Sequence, residues 1–188
     1  MRRAKVWTTK DLKQVYELAG KIPPREIRRK LRLSKRQLYY ACELLRKQGK
    51  NVTLRCYTSR LDYCPACGCR RSTLGSYGIC EPCRKTKQLE DIKYRSALIF
   101  EQLPMHERAV YEETDAEIGS NSIPMPKPRS LKGLNSYERA KAKDDYDLAM
   151  EQWSIANLTR QVKSAQKRKE RMEKKLKESR NHEKEHHQ

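Results

Sequence analysis

Four cysteines in two Cys-x2-Cys pairs constrain the fold of this chain more than any other feature. They are Cys64, Cys67, Cys80 and Cys83, with twelve residues between the pairs. Two such pairs can fold back on one another and place four thiolates at the corners of a tetrahedron, the geometry of closed structural Zn²⁺ sites. Gly68 and Gly78 flank the pairs, and glycine supplies the left-handed backbone that turns amides toward sulfur. The spacing therefore predicts one structural Zn²⁺ held by four sulfurs.

Segment 56–84 resembles zinc-ribbon modules, and the resemblance is limited to the four cysteines and their surroundings. Each pair is expected to form a tight turn, and residues 70–77 are long enough for a short hairpin. The alternative is two disulfides or unused thiols. Because no export signal follows Met1, we expect a reducing compartment, where such pairs favour metal. Cys69 is a second candidate for the position of Cys67 as a ligand.

The composition excludes one large globule with a deep core. Apolar residues make up 36% of the chain and charged residues another 36%, which favours small modules joined by exposed helices. No stretch approaches the ~20 apolar residues that span a bilayer. We therefore expect a cytoplasmic, nucleoid-associated protein without a membrane partner.

The formal charge of +19 is concentrated in two places. Residues 1–60 hold 18 Lys and Arg against 4 Asp and Glu, and residues 160–177 hold nine against two. Residues 85–134 balance at eight against eight. A basic excess in a folded N-terminal segment indicates a nucleic-acid surface. The alternative is a solvated surface that keeps the protein in solution.

Capping and turn residues predict three short helices in the N-terminal segment. Thr8 or Thr9 can cap the first helix over 11–19, and Gly20 ends it. Pro23 and Pro24 suit the start of a second helix that runs to about Leu31. Ser34 and Gln37 form a capping-box pattern for a third helix that ends near Gly49. The residues expected to face inward are Leu12, Val15, Tyr16, Ala19, Ile27, Leu31, Leu38, Ala41, Cys42 and Leu45.

About three residues separate the second and third helices, the short connection of a helix-turn-helix, whose second helix lies in the DNA major groove. The outer face of the third helix presents Arg36, Tyr40 and Lys47, flanked by Gln37 and Tyr39. Arg36 and Gln37 have the chemistry to read guanine and adenine edges. Contacts with phosphates position a protein on the duplex but do not select a base sequence. The side chains expected to make them are Arg25, Arg28, Arg29, Lys30 and Lys35.

These residues carry a family resemblance. Trp7-Thr8-Thr9-Lys10-Asp11-Leu12, Glu26-Ile27-Arg28-Arg29-Lys30-Leu31 and Leu33-Ser34-Lys35-Arg36-Gln37-Leu38 resemble the Myb/SANT-like helix-turn-helix of bacterial and phage regulators, over about residues 6–50. The resemblance implies that Trp7 packs in the core and that the third helix reads DNA. The Pro-Pro start of helix two and the adjacent tyrosines depart from the family pattern. The alternative is a protein-interaction module of the same family.

The C-terminal half is predicted to be helical. Helices are expected over 85–103 and 105–118, and a Pro-rich linker over 119–134. A long charged helix is expected over 135–180, capped by Asn135 and its neighbours. Apolar residues at helical spacing, which we call the 142–165 seam, suit self-association as a coiled coil or docking onto the 85–118 helices. Asp144, Asp145 and Asp147 are expected to be surface charges.

The predicted fold is mainly α and modular. Its parts are a basic helix-turn-helix domain (1–55), a zinc-bound β-hairpin or ribbon (56–84), a helical segment (85–118), a linker (119–134) and a long charged helix with a disordered tail (135–188). No nucleophile–base pair, phosphate loop or carboxylate set indicates an enzyme or a small-molecule substrate.

The sequence therefore favours a sequence-specific DNA-binding protein, a bacterial or phage transcriptional regulator whose partner is double-stranded DNA, and which also associates with itself or with RNA polymerase. One alternative is a DNA-packaging recogniser of small-terminase type. The other is an accessory protein that binds RNA polymerase or a recombinase.

Overall fold

The structure, a computed structural model, describes residues 6–117 and 123–186, and side chains in these ranges except 113–117 and 182–186. It is mainly helical, as predicted. Its helices are Thr9–Leu18 (α1), Pro24–Leu31 (α2), Lys35–Lys47 (α3), Glu81–Phe100 (α4), Met105–Glu117 (α5) and Ser136–His186 (α6). A two-stranded antiparallel hairpin pairs Asp62–Tyr63 (β1) with Arg70–Arg71 (β2).

The described residues form two compact units. The first takes its residues from 1–60 and 127–147, and the second from 61–126 and 148–188. The last residue of the predicted helical segment (118), part of the predicted linker (119–122) and the last two residues of the predicted tail lie outside the described ranges.

Local side-chain caps start α1 and α3 where the sequence predicts. The backbone N–H of Asp11 donates to Thr8 Oγ1 at 3.2 Å, and the N–H of Thr8 donates back to Asp11 Oδ2 at 3.1 Å. Ser34 and Gln37 form the same reciprocal pair at 3.2 and 2.8 Å. Each box satisfies two backbone donors that a helix N-terminus otherwise leaves without partners. The predicted capping box of α3 is therefore confirmed.

The core of the first unit is built from the inner faces of α1, α2 and α3. Val15, Ile27, Leu38 and Leu45 are fully buried, and each stabilises the unit by about 1.5–3 kcal/mol relative to an exposed side chain. The predicted inner face of α3 is confirmed, and Trp7 packs against this core. Tyr16 was wrongly predicted to face inward. It is 37% exposed, and its ring lies outside the core beside Lys50, whose Nζ is 5.3 Å from the ring centroid.

The α2–α3 connection is three residues long. Arg32 ends α2 in the left-handed conformation at φ 50° and ψ 44°, which reverses the chain direction. Leu33 is buried in the core, and Ser34 caps α3. The sequence prediction of a short turn is confirmed.

Residues 127–147 complete the first unit, an arrangement that the sequence did not indicate. Asn51 Nδ2 donates to the carbonyl oxygen of Gly133 at 3.2 Å, and Asn135 Nδ2 donates to Asn51 Oδ1 at 3.1 Å. The rings of Tyr57 and Tyr137 meet edge to face at 5.5 Å between centroids. The start of α6 and the segment before it therefore pack on the chain that follows α3.

Asp144 is buried, so the prediction that it is a surface charge is wrong. Only 2% of the residue is exposed. Burial, followed by a hydrogen bond between the Tyr57 hydroxyl and the Asp144 carboxylate, raises the pKa of Tyr57. The buried carboxylate thus has a phenolic donor, which the local sequence around residue 144 does not reveal.

In the second unit, α4 packs on α6. Leu89 and Ile92 of α4 form a buried cluster with Val162, and Leu158 and Ala165 pack against it. The α5 helix adds Tyr111, whose ring lies 5.7 Å from the guanidinium carbon of Arg168. This part of the 142–165 seam therefore docks within its own chain, one of the two predicted arrangements. Self-association stays a prediction.

Trp153 also has a partner in its own unit. Its indole N–H donates to the carbonyl oxygen of Ile123 at 2.8 Å, and the N–H of Ile123 donates to Asn157 Oδ1 at 3.3 Å. The described part of the predicted linker, 123–134, contains no helix or strand. At its end, Asn135 and Glu138 cap α6 reciprocally, with both bonds at 2.9 Å.

Candidate metal centre and nucleic-acid interface

The four predicted ligands lie together. The sulfurs of Cys64, Cys67, Cys80 and Cys83 are all within 4.8 Å of one another. Cys64 Sγ is 3.9 Å from Cys83 Sγ, and Cys67 Sγ is 3.8 Å from Cys80 Sγ. These separations are far longer than the ~2.05 Å of a disulfide. A tetrahedral ion with metal–sulfur bonds of 2.3 Å requires sulfurs about 3.8 Å apart. The residues therefore fit one metal ion, and the four thiols are free.

The first cysteine pair lies in the turn of the β-hairpin. The strands pair Asp62 with Arg71 and Tyr63 with Arg70, and the N–H of Cys64 donates to the carbonyl oxygen of Cys69 at 3.0 Å. Gly68, at φ 67°, closes the turn with a 2.8 Å bond to the Cys64 carbonyl. The predicted β-hairpin in 56–84 is therefore present, but its expected position within 70–77 is wrong, because the strands pair across the cysteine turn.

The second cysteine pair lies at the start of α4. The prediction that this pair forms a separate tight turn, as in a zinc ribbon, is therefore wrong. Cys80 is the N-cap residue and Cys83 lies in the first turn. The helix starts four residues before the predicted position because Pro82 is tolerated there: a proline in the first turn loses no intrahelical bond. The N-terminus of a helix carries partial positive charge, which favours thiolates.

Backbone amides, burial and neighbouring thiols shift the pKa values of the clustered cysteines in opposite directions. The N–H of Cys80, 3.4 Å from Cys64 Sγ, is the main cause that lowers the pKa of Cys64 to about 6. Burial, followed by hydrogen bonds with the other three thiols, raises the pKa of Cys83. Four sulfurs this close can all be thiolates only beside a cation, since a bound ion offsets their mutual repulsion.

Arg71 is a residue of this site that the sequence analysis missed. It is 8% exposed. Burial acts to lower the pKa of Arg71, but hydrogen bonds and charge interactions with Cys67, Cys69 and Cys80 together outweigh burial and raise it. A guanidinium here partly offsets the net negative charge of four thiolates around a dication. The neighbouring N–H of Ser72 donates to Oε2 of the buried Glu151 at 2.9 Å. The Ser72 contact joins residues 79 positions apart, and the Arg71 contacts depend on the hairpin register, so cysteine spacing alone gave no signal for either.

Cys69 lies outside the four-sulfur cluster. Its thiol is exposed and is directed at the carbonyl oxygen of Cys67, 3.6 Å away. The exchange of Cys69 for Cys67 thus has no support in this geometry.

The side chains predicted to contact phosphates differ in accessibility. Arg25, Arg29 and Lys30 of α2 and Lys35 of α3 are exposed. Arg28 is half-buried, and within the described residues its Nε has no hydrogen-bond partner. Arg28 is therefore the least suited of the five to meet a phosphate.

The side chains of α3 predicted to read bases also differ in their local bonds. Arg36 is exposed, and Tyr39 and Tyr40 are 54% and 49% exposed. Gln37 is half-buried, and its Oε1 already accepts the Ser34 N–H in the capping box. Lys47 is 3.0 Å from the carboxylate of Glu43. In the described part of the chain, Arg36 therefore lacks the local bonds that occupy Gln37 and Lys47.

Comparison with protein-family models, with curated proteins and with solved structures gives no match to this chain. Within the described ranges, every helix is too short or too polar to span a membrane.

Proposed function

We propose that this protein binds double-stranded DNA in a sequence-specific manner, as a bacterial or phage transcriptional regulator does. The observation that carries the proposal is the arrangement of α2 and α3. A basic helix leads through three residues into a second helix, whose buried face is opposite the exposed Arg36 and Tyr40. A helix oriented in this way can enter a major groove and present its first turn to the base edges.

Charge supports the same assignment. The three-helix region lies within residues 1–60, which carry 18 basic against 4 acidic residues. Arg25, Arg29, Lys30 and Lys35 are exposed around the α2–α3 turn. Basic side chains beside a groove-reading helix fix its register on the phosphates without selecting sequence. Arg36 has a planar guanidinium that suits bidentate contact with guanine.

We further propose that the four cysteines hold one Zn²⁺ in a structural role. The sulfur separations match a zinc–sulfur bond of about 2.3 Å, and four sulfurs leave no open position for water. The hairpin itself has only two pairs of residues, too few to be stable alone. When bound, the metal would join this hairpin to the first turn of α4.

The two alternatives have less support. A ring-forming packaging protein requires an intermolecular surface, but Leu158 and Val162 pack on α4 of the same chain. An accessory protein would use its helices for protein contacts and would not require accessible basic side chains around α3.

Selection of bound fragments from random duplex DNA by the full-length protein tests the proposed function. We expect a defined motif to be enriched, and Arg29→Ala to weaken selected and random duplexes alike. Each phosphate contact adds about 0.9 to the steepness of log K against log salt, so this variant should have a slope shallower by about that amount. Failure to enrich any motif would contradict sequence-specific binding and favour the accessory role.

A further inference from the structure

One face of α6 in the second unit is a continuous basic stripe. Its side chains, which we call the α6 stripe, are all exposed: Arg160, Lys163, Lys167, Arg171 and Lys174. Their spacing of three or four residues places them within an arc of about 80° on a helix of 3.6 residues per turn. The stripe is about 21 Å long at 1.5 Å per residue.

The opposite face of this helix fixes the direction of the stripe. Val162 and Met172 are buried, and Leu158 and Ala165 pack against the α4 cluster. The mean direction of these residues is roughly 165° around the helix from the mean direction of Lys163 and Lys167, at 3.6 residues per turn. Because α4 covers one side of α6, the stripe is held on the other side, toward solvent.

Most of the stripe is also unpaired with acidic groups of the described chain. The neighbouring lysines form the ion pairs of this stretch: Lys169 with Glu173 at 3.0 Å and Lys175 with Glu107 at 3.3 Å. Lys174 is 3.8 Å from Glu178. In the described ranges the other four stripe cations have no ion pair. One carboxylate, that of Glu170, is exposed at the edge of the stripe and accepts a hydrogen bond from Gln166 at 3.0 Å. Cations still outnumber carboxylates on this face, and such a surface releases counterions when it meets a polyanion.

We propose that the α6 stripe is a second DNA-contacting surface, which binds the phosphate backbone of a duplex without reading sequence. About 21 Å of duplex carries roughly twelve phosphate charges, which is ample for five cations in a row. The aromatic side chains that stack on single-stranded bases are lacking from the stripe itself, so its chemistry fits a backbone and not exposed bases. This contact goes beyond the proposed function, since it belongs to the second unit and involves no base reading.

The test compares two triple variants of the full-length protein on a random-sequence duplex. Lys163→Gln, Lys167→Gln and Arg171→Gln remove three stripe charges, and glutamine preserves helix propensity. The matched control, Lys87→Gln, Lys93→Gln and Arg95→Gln, removes three exposed charges scattered around α4. Affinity is measured from 50 to 200 mM salt, and circular dichroism checks the helix content of both variants.

We expect the stripe variant to have a salt slope shallower by about 2.7, which is 0.9 for each lost phosphate contact, and the control to keep nearly the wild-type slope. An unchanged slope in the stripe variant, or an equal change in both variants, would overturn the proposal. Weaker binding to phosphatidylserine vesicles or single-stranded RNA with an unchanged duplex slope would assign the stripe to those ligands instead. The affinity ratio between selected and random duplex tests α3 separately, so the two proposals can fail independently.

Discussion

Replacing Gly20 with alanine should destabilise the first unit through both strain and a steric clash. Gly20 has φ 75°, and a Cβ built there would lie 3.0 Å from Ser136 Cβ and 3.3 Å from the carbonyl oxygens of Thr53 and Arg55. The left-handed conformation costs about 1–2 kcal/mol for an L-residue, and overpacking adds about 1–3 kcal/mol. We therefore expect Gly20→Ala to lower the free energy of unfolding by about 2–5 kcal/mol.

Gly49→Ala is the matched control for backbone strain. Gly49 also has φ 75°, but a Cβ added at this position would have no neighbouring atom within 4 Å among the described residues. The two substitutions share the left-handed strain and the reduced freedom of the unfolded chain. The difference between their losses in free energy of unfolding, about 1–3 kcal/mol, therefore measures the contact of residue 20 with 53–55 and with the start of α6.

Urea unfolding measures this difference in the first unit. The chain has two tryptophans, so a Trp153→Phe background leaves Trp7 as the fluorescent reporter, packed against the first core. Ser136→Gly removes the nearest contacting atom and should recover part of the loss in Gly20→Ala, as a double-mutant cycle. Equal destabilisation by the two alanine substitutions, or no coupling to residue 136, would refute the packing of 127–147 on the N-terminal helices.

Three further outcomes follow from the structure. Cys83→Ser should lose stoichiometric zinc, measured by mass spectrometry under native conditions, whereas Cys69→Ser should keep it; equal zinc content in both would contradict the four-cysteine ligand set. Tyr57→Phe should lower the free energy of unfolding by about 1–3 kcal/mol, because it leaves the buried Asp144 without its phenolic donor; a change below about 0.5 kcal/mol in urea unfolding would show that this bond is not needed. Light scattering at tens of micromolar should give the mass of a monomer, because part of the 142–165 seam docks on α4; a dimer sensitive to Trp153→Glu would instead support self-association.

Local signals predicted the N-terminal helices well. Capping depends on residues three apart, so Ser34 could be identified with its partner Gln37, and Thr8 as one of two candidate caps of α1, from the sequence. The cysteine spacing likewise predicted that four sulfurs lie together, because two residues between the cysteines let each pair face one ion, in the hairpin turn for the first pair and in the first turn of α4 for the second. The start of α4 was missed because Pro82 was interpreted as part of a turn, although proline is equally compatible with a first helical turn.

Contacts between distant residues account for what the sequence did not predict. Asn51 and Gly133 are 82 positions apart, and no periodic pattern links the segments that contain them. Asp144 bonds to Tyr57, which is 87 positions away in the chain, and the role of Arg71 depends on the hairpin register that directs it toward the sulfurs. In each case the polar side chain resembles a surface residue until its partner is known.

The affinity ratio between selected and random duplex, measured for Arg36→Ala, tests DNA reading by α3 most directly. Loss of a bidentate base contact should cost about 1–3 kcal/mol on the selected site only, so the ratio should fall roughly 5- to 150-fold. Arg29→Ala, which removes a proposed phosphate contact, should weaken both duplexes and leave the ratio unchanged. An Arg36→Ala protein that keeps the wild-type ratio would contradict base reading by the first turn of α3.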